Sequence, residues 1–206
     1  MADIALLHGF LGSEQAARLL DFAIASEALY AATVVGREDE LNQRIRCSYR
    51  MDALGEFIPL IASAVGKALP GILPTLGIRP FTVGAYEIEL VAHGEGGFYS
   101  RHIDTYTGND RTQCGDRVLS CVYYIHSQPK QFTGGALRLY PLPTSEARTP
   151  ACIDVEPDHE TLVAFSSWLP HEVMPTVCPT KQFKDYRFSI NCWVYQQGEP
   201  VAAQDV

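Results

Sequence analysis

His102 and Asp104 lie two residues apart in a segment that is typical of a β-strand, and this spacing can place both side chains on one face. Such a pair is usually a surface pair or a structural hydrogen bond, but it can also bind one divalent metal ion. A third ligand must then come from elsewhere, and His171, at the start of a later strand, is the best candidate. Two histidines and one carboxylate on an octahedral iron leave three positions open for a 2-oxoacid and dioxygen. The same ligands also suit zinc.

A late strand carries polar groups that a core alone does not explain. Residues alternate along the segment 187–193, and one face carries an arginine, a hydroxyl, an amide and an indole: Arg187, Ser189, Asn191 and Trp193. An arginine on an inward face is costly unless it is paired, and a guanidinium binds a carboxylate in a bidentate manner. The pattern therefore predicts an anion site. Lys181, in the loop before this strand, is the rival anchor, although Arg187 starts the more regular element.

The elements that must position these residues change character once along the chain. Up to about residue 75 the apolar spacing is helical, and it predicts helices over 14–26, capped by Ser13, and over about 52–69. The second helix would bury an apolar face made of Leu54, Phe57, Ile58, Ile61 and Val65. A cluster of helix-breaking residues should then end the helical region: Pro70, Gly71 and Pro74.

From Phe81 onward, short segments rich in β-branched and aromatic residues alternate with turns. Many short strands after two helices predict a mainly β fold with N-terminal helices (α+β), a β-sandwich or jelly roll with helices packed on one side. We expect a single domain over 1–206, with a helical support region over about 1–75 and a β core over about 80–195.

Composition excludes several functional classes. The 206 residues are 47% hydrophobic and 19% charged, which supports a folded core, and the net charge of -8 offers no attraction to nucleic-acid phosphates or an anionic membrane surface. The sequence contains no run of 18 or more apolar residues, so it predicts no membrane span. The N-terminus does not resemble a secretion signal. We therefore expect a cytoplasmic protein, whose six scattered cysteines are free thiols and form no zinc finger.

The order H-x-D, a distant H, and R-x-S on a late strand resembles the 2-oxoglutarate and iron(II)-dependent oxygenases of the prolyl 4-hydroxylase type. Four longer segments resemble that family in the same order: residues 96–104, 121–125, 133–140 and 170–173. The resemblance implies a double-stranded β-helix (jelly-roll, cupin-like) core. It implies iron ligation by His102, Asp104 and His171, and binding of the distal carboxylate of 2-oxoglutarate by Arg187. It also implies four further pocket residues: Ser189 and Tyr124 at that carboxylate, Trp193 as a wall, and Asn191 near the iron.

The activity that this resemblance implies is hydroxylation of an unactivated C–H bond, coupled to decarboxylation of 2-oxoglutarate to succinate. Fe(II), 2-oxoglutarate and dioxygen would take part, with ascorbate as a further cofactor. The substrate would be a prolyl residue of a protein or peptide, a free amino acid or a small metabolite. Because Asp104 is retained where halogenating relatives carry a small residue, hydroxylation is favoured over halogenation. The alternative is a cupin-like protein that binds zinc or manganese without redox chemistry.

Several positions depart from the family pattern or stay open. Arg187 follows His171 by sixteen residues, whereas Lys181 lies at the usual distance of about ten. Some relatives carry a tyrosine about ten residues before H-x-D, where this chain has Ala92. The polar segments 36–50 and 105–117 are interpreted as solvated loops or as substrate-binding loops, and their arginines as a solvated face or an acid-binding group: Arg37, Arg44, Arg46 and Arg50. No role is predicted for the other four histidines: His8, His93, His126 and His159.

Overall fold

The fold is given by a computed structural model, which describes residues 3–33, 45–105, 116–141 and 152–198. Among the described residues of the N-terminal part, two α-helices form: α1 (Ser13–Ala25) and α2 (Phe57–Leu76). Four short strands lie in the same part: β1 (Ala5–His8), β2 (Ala31–Ala32), β3 (Arg46–Cys47) and β4 (Tyr49–Met51). The predicted loops 36–50 and 105–117 fall largely outside the described residues.

The remaining strands follow one another in the rest of the chain. They are β5 (Val83–His93), β6 (Phe98–His102), β7 (Asp116–Ile125), β8 (Thr133–Gly134), β9 (Leu137–Leu139), β10 (Ile153–Val155), β11 (Thr161–Ser166), β12 (His171–Val173), β13 (Thr176–Val177) and β14 (Arg187–Gln196). The predicted change from helices to strands is confirmed. The four N-terminal strands were not predicted, because residues this few acquire strand geometry only from the sheets that they join.

Three antiparallel sheets build the jelly roll. A seven-stranded sheet has the order β1-β11-β7-β14-β5-β4-β2, a five-stranded sheet has the order β10-β9-β12-β6-β3, and β13 pairs with β8. One core cluster packs both helices on the outer face of the large sheet, and the second joins the two large sheets through residues such as Tyr124, Leu139 and Phe165. The predicted mainly β, jelly-roll fold is confirmed, and the inner faces of the two sheets enclose the pocket described below.

Three details of the helices contradict the sequence predictions. Ser13 is the first helical residue and does not cap α1, because Gly12 takes the cap position without a side-chain hydrogen bond. Helix α2 continues through Pro70 and Pro74 to Leu76. An interior proline costs about 3 kcal/mol or more, but burial of the last turns against the core offsets that cost: Leu69, Ile72 and Leu73 are buried. Ile58, predicted to face the core, is 38% exposed.

The length of α2 bears on the predicted absence of a membrane span. Its 20 residues have a mean hydropathy of 1.5 in the most apolar window, which is long and apolar enough to cross a bilayer by length and composition alone. A core helix of a soluble protein passes the same test. In this fold one side of α2 is packed in the core through six buried residues: Phe57, Ile61, Val65, Leu69, Ile72 and Leu73.

Candidate active site

His102, Asp104 and His171 come together beside strands β6 and β12 of the five-stranded sheet. Strands β6 and β12 are antiparallel neighbours, and their register places His171 directly opposite His102. Asp104 was predicted on the same strand as His102, but β6 ends at His102 and a bend brings the carboxylate in. Asp104 Oδ1 lies 3.6 Å from His102 Nε2, and Asp104 Oδ2 lies 3.4 Å from His171 Nε2. One ligand atom from each residue lies within 4.8 Å of the others.

Backbone carbonyls orient both imidazoles. His102 Nδ1 lies 2.8 Å from the Ser100 carbonyl oxygen, and His171 Nδ1 lies 2.8 Å from the Leu169 carbonyl oxygen. A carbonyl oxygen can only accept, so each Nδ1 carries the hydrogen and each Nε2 keeps its lone pair. The two lone pairs are thereby directed towards the space beside Asp104, which is the arrangement that a metal ligand needs.

The Asp104 carboxylate is held ionised in a buried setting. Ser120 Oγ donates to Asp104 Oδ2 at 2.6 Å, and Ser120 Oγ is 2.9 Å from Ser167 Oγ. Burial alone would raise the pKa of Asp104, but the hydrogen bond from His102 and the positive charge of the His102 and His171 rings in their protonated form, together with the Ser120 hydroxyl, outweigh it and hold that pKa well below its ordinary value. Burial also lowers the pKa of His171, which favours the neutral, metal-binding form of its imidazole.

Aromatic rings fix the two histidines from their other sides. The Tyr99 ring stacks on His102 with centroids 3.6 Å apart, and the Phe165 ring meets the His171 ring edge-on at 4.7 Å. Two neutral imidazole nitrogens and one carboxylate oxygen on one side of a metal fit the facial triad of non-haem Fe(II), and the same donors accept zinc. The geometry therefore fits the metal that the sequence predicted.

Arg187 begins β14 at the other end of the same pocket, where its side chain is only 1% exposed. Its Nε donates to the Gly135 carbonyl oxygen at 2.8 Å, and its Nη1 lies 3.2 Å from His93 Nδ1 and 3.4 Å from Ser189 Oγ. No carboxylate in the described part of the chain forms an ion pair with this guanidinium. A buried cation without a counter-charge is costly, so the pocket fits an anionic ligand.

Unpaired polar atoms surround the same guanidinium. Within the described ranges, Tyr124 OH, His93 Nε2 and Thr176 Oγ1 are buried and have no hydrogen-bond partner. The Arg187 guanidinium lies 4.9 Å from the Tyr124 ring centre, and burial raises the pKa of Tyr124 to about 12. Gly135 has a φ of +70°, and a Cβ there would lie 2.6 Å from Arg187 Cδ. Glycine at this position thus leaves room for the arginine.

The rival anchor lies elsewhere. Lys181 is exposed, in a turn where its φ is 53°, and it does not line the pocket. The alternation predicted along β14 holds, and it brings Ser189, Asn191 and Trp193 to the pocket with Arg187.

Apart from the triad and Arg187, the charged groups that line the pocket are paired with other residues. Asn191 Nδ2 donates to Glu89 Oε1 at 3.0 Å, and Glu89 also lies 3.4 Å from Arg46 Nη2 and 3.7 Å from Arg50 Nη1. The Arg46 guanidinium lies 4.7 Å from the centre of the Tyr99 ring. Of the arginines interpreted as a solvated face or an acid-binding group, Arg46 faces the pocket and Arg50 is half exposed.

No role could be assigned to His93 from the sequence, but it lines the pocket beside Arg187. Ala92 occupies the position where some relatives carry a tyrosine, and it faces the core beside the helices. The next residue, His93, supplies a polar group to the pocket instead. Alternation along β5 contained this signal, because Glu89, Val91 and His93 lie on one face. Other residues of the site were also missed, and they lie on strands or turns beside it: Gly135, Thr176, Ser120, Ser167, Glu89 and Tyr99.

Comparison with known proteins agrees with this geometry. The family model for the 2OG-Fe(II) oxygenase superfamily matches residues 88–195, which span both ends of the pocket. A relative from Synechocystis sp., named an uncharacterised PKHD-type hydroxylase, is 31% identical over 193 residues, 91% of this chain and 61% of the relative. The chain therefore spans less than two thirds of that relative's length.

Solved structures share the fold. A prolyl-4-hydroxylase from Pseudomonas putida superposes with a TM-score of 0.68 at 23% identity, over 95% of this chain and 94% of that one. The viral collagen prolyl hydroxylase from Paramecium bursaria Chlorella virus-1, in its 2OG complex, gives a TM-score of 0.59 at 16% identity, over 94% and 96%. At these identities the likeness establishes the fold alone. The family match across the residues of the pocket shows that this chain belongs to the 2OG-Fe(II) oxygenase superfamily.

Proposed function

We propose that this chain is an Fe(II)- and 2-oxoglutarate-dependent dioxygenase that hydroxylates a prolyl residue of a peptide or protein and converts 2-oxoglutarate to succinate and carbon dioxide. One observation carries the proposal: a fully buried Arg187, with no acidic partner among the described residues, opens into the same pocket as the His102, Asp104 and His171 triad. A protein that binds only a metal would need no unpaired cation in the same pocket. A chelating 2-oxoacid with a second carboxylate accounts for both ends.

Each end has a distinct task in this proposal. His102, Asp104 and His171 would hold the metal through nitrogens and oxygens that are already oriented. Bound Fe(II) would supply the redox chemistry by which dioxygen oxidises 2-oxoglutarate and the substrate C–H bond. Arg187 would pair with the distal carboxylate, and Tyr124 OH would donate to it. The buried walls keep bulk water away, which strengthens the charge pairing.

The substrate end favours a peptide over a free amino acid. A free amino acid brings an ammonium and a carboxylate, each of which needs a counter-charge when it is buried. Here Glu89 is paired with Arg46 and Arg50, and Glu87 lies 2.6 Å from Nη2 of Arg117. A prolyl residue inside a peptide is uncharged. Its amide groups need hydrogen-bonding partners, and its ring needs an apolar wall, which Trp193 and Tyr99 offer. Two structural neighbours named prolyl hydroxylases add support.

The alternative of a non-redox cupin-like protein is weaker. Zinc or manganese could bind the triad, but binding of a metal alone does not explain the buried Arg187 or the unpaired atoms near it. The superfamily match also favours the oxygenase.

A product assay tests the proposal. The protein, Fe(II), 2-oxoglutarate and a proline-rich peptide are incubated in air, and succinate and peptide mass are followed together. We expect succinate and a gain of one oxygen on the peptide in equal amounts. A matched peptide with alanine for each proline and free proline serve as controls, and neither should be hydroxylated. Hydroxylation of free proline at the rate of the peptide would contradict the peptide assignment, and absence of succinate would contradict the reaction class.

A further inference from the structure

His93 lies at the end of β5, where the register pairs it with Arg187 at the start of β14. It is 3% exposed, and Nδ1 is 3.2 Å from Nη1 of the guanidinium. A guanidinium can only donate, so His93 Nδ1 accepts and its ring hydrogen lies on Nε2. One side of the imidazole therefore orients Arg187.

The other side of the ring is a donor without an acceptor. His93 Nε2 is buried and has no hydrogen-bond partner in the described part of the chain. A buried N–H is rarely left unpaired in a folded protein, and such a group calls for a ligand, a water or an ion. Tyr124 OH and Thr176 Oγ1 are likewise buried without a partner in that part of the chain. The Tyr124 ring centre lies 4.9 Å from the guanidinium, and Thr176 Oγ1 and the Arg187 side chain both lie against Gly135. Three buried polar groups without a partner among the described residues thus lie on the side of the pocket that holds Arg187.

The charge state of the ring suits a donor of this kind. Burial, followed by the charges of Arg187 and Arg46, lowers the pKa of His93 well below its ordinary value. The imidazole is therefore neutral beside Arg187, and the two residues together present a single positive charge. That charge matches one carboxylate, and the neutral N–H adds a directional hydrogen bond.

We propose that His93 is a co-substrate-binding residue: its Nε2–H donates to the carboxylate that pairs with Arg187, while its Nδ1 holds the guanidinium in place. This assignment rests on the proposed function, because it takes 2-oxoglutarate as the anion. It gives the site a means of selecting a dicarboxylic 2-oxoacid over a 2-oxoacid with one carboxylate.

Two substitutions separate the two hydrogen bonds of the ring. In His93→Asn the side-chain oxygen can take the place of Nδ1 and accept from Arg187, but nothing reaches the position of Nε2. In His93→Gln the longer amide can place its nitrogen near that of Nε2 and donate. The space around His93 is tight, because a Cβ added at the neighbouring Gly97 would lie 3.0 Å from His93 Cβ. Both new side chains are uncharged and no larger than histidine, so both fit this space.

The test is an anaerobic binding titration of the Fe(II)-loaded protein, followed by the charge-transfer absorption of the bound 2-oxoacid. The ligands are 2-oxoglutarate and pyruvate, which lacks the distal carboxylate. Loss of one hydrogen bond to a charged group typically weakens binding by about 10- to 100-fold. We expect a loss of this size for 2-oxoglutarate in His93→Asn, a much smaller loss in His93→Gln, and unchanged pyruvate binding in both.

The outcomes distinguish this inference from the proposed function. Wild-type protein that binds no 2-oxoglutarate would overturn both. Wild-type protein that binds 2-oxoglutarate, with His93→Asn binding it equally well, would overturn the role of His93 alone. Equal losses for 2-oxoglutarate and pyruvate in both variants would indicate a structural role and would also overturn it. Selective weakening for 2-oxoglutarate, rescued by glutamine, is the result that supports the inference.

Discussion

The two ends of the pocket differ in how completely they are satisfied without a ligand. At the triad, both Nδ1 atoms are hydrogen-bonded to carbonyl oxygens and Asp104 accepts from Ser120. At the other end, Arg187 has no carboxylate partner among the described residues, and three polar atoms beside it are unpaired. The metal end is therefore preorganised, whereas the anion end is completed only by its ligand.

Asp104→Ala removes the only carboxylate of the triad and should have the largest effect. We expect Fe(II) affinity to fall by more than about 100-fold, since even loss of a supporting contact to a ligand costs about 10- to 100-fold. Succinate formation should fall below detection. Metal content after dialysis and succinate release measure the two effects. Succinate release at the wild-type rate would mean that Asp104 is not a ligand.

Arg187→Met removes the cation at the other end and should leave metal binding intact. Loss of one partner of a buried charge pair costs about 2–5 kcal/mol, which weakens 2-oxoglutarate binding by about 30- to several-thousand-fold. Lys181→Met is the matched control and should change nothing, because Lys181 is exposed and outside the pocket. An unchanged affinity in Arg187→Met with a large loss in Lys181→Met would move the anchor to Lys181.

Ser120→Ala tests the metal end of the pocket through a residue that supports a ligand and does not bind the metal itself. It removes the donor to Asp104 Oδ2, and we expect a loss of about 10- to 100-fold in Fe(II) affinity. Ser100→Ala is the control, because Ser100 supports His102 through its backbone carbonyl, which the substitution retains. Competition with a chelator measures both affinities. Equal affinities in the two variants would show that Ser120 does not tune the site.

The free energy of unfolding without co-substrate also tests whether the anion end of the pocket is incomplete. A buried charge without a counter-charge is a cost, so replacing it with an apolar side chain is often neutral or stabilising. We expect the free energy of unfolding of Arg187→Met to match or exceed that of the wild type by about 1 kcal/mol. Urea unfolding without 2-oxoglutarate measures it. A destabilisation of several kcal/mol would show that Arg187 is a structural residue.

The pH dependence of stability gives the smallest expected effect. Since burial lowers the pKa of His93, the unfolded chain binds a proton at a higher pH than the folded protein does. The folded state therefore loses stability as the pH falls through the unfolded value of about 6.5. Between pH 7.5 and 5.5 one such histidine contributes up to about 1.4 kcal/mol. His93→Gln should lose less stability than the wild type over that range, and equal losses in urea unfolding would contradict this.

The sequence predicted the site better than it predicted the helices. Alternation along β14 located the pocket-facing residues, and the H-x-D spacing with His171 located the triad. It did not reveal that Asp104 lies in a bend after β6, because H-x-D spacing is compatible with a strand and with a bend. Helix α2 passed through two prolines because tertiary burial, which the local pattern does not contain, offset their cost.

His93 shows a different kind of miss. Its position on the pocket face of β5 follows from simple alternation, but its partner is 94 residues away in the chain. Only the register between β5 and β14 brings His93 beside Arg187. Contacts of this kind depend on topology, so a histidine without local context carries no readable role in the sequence alone.

Incubation with Fe(II), 2-oxoglutarate, a proline-rich peptide and ¹⁸O₂ requires both ends of the pocket to act in one reaction, and it is therefore the decisive test of the proposed activity. We expect one labelled oxygen in succinate and one in the hydroxylated prolyl residue, in equal amounts, and neither product from Asp104→Ala. Unlabelled succinate, or an unmodified peptide with every proline-rich sequence tried, would contradict the account.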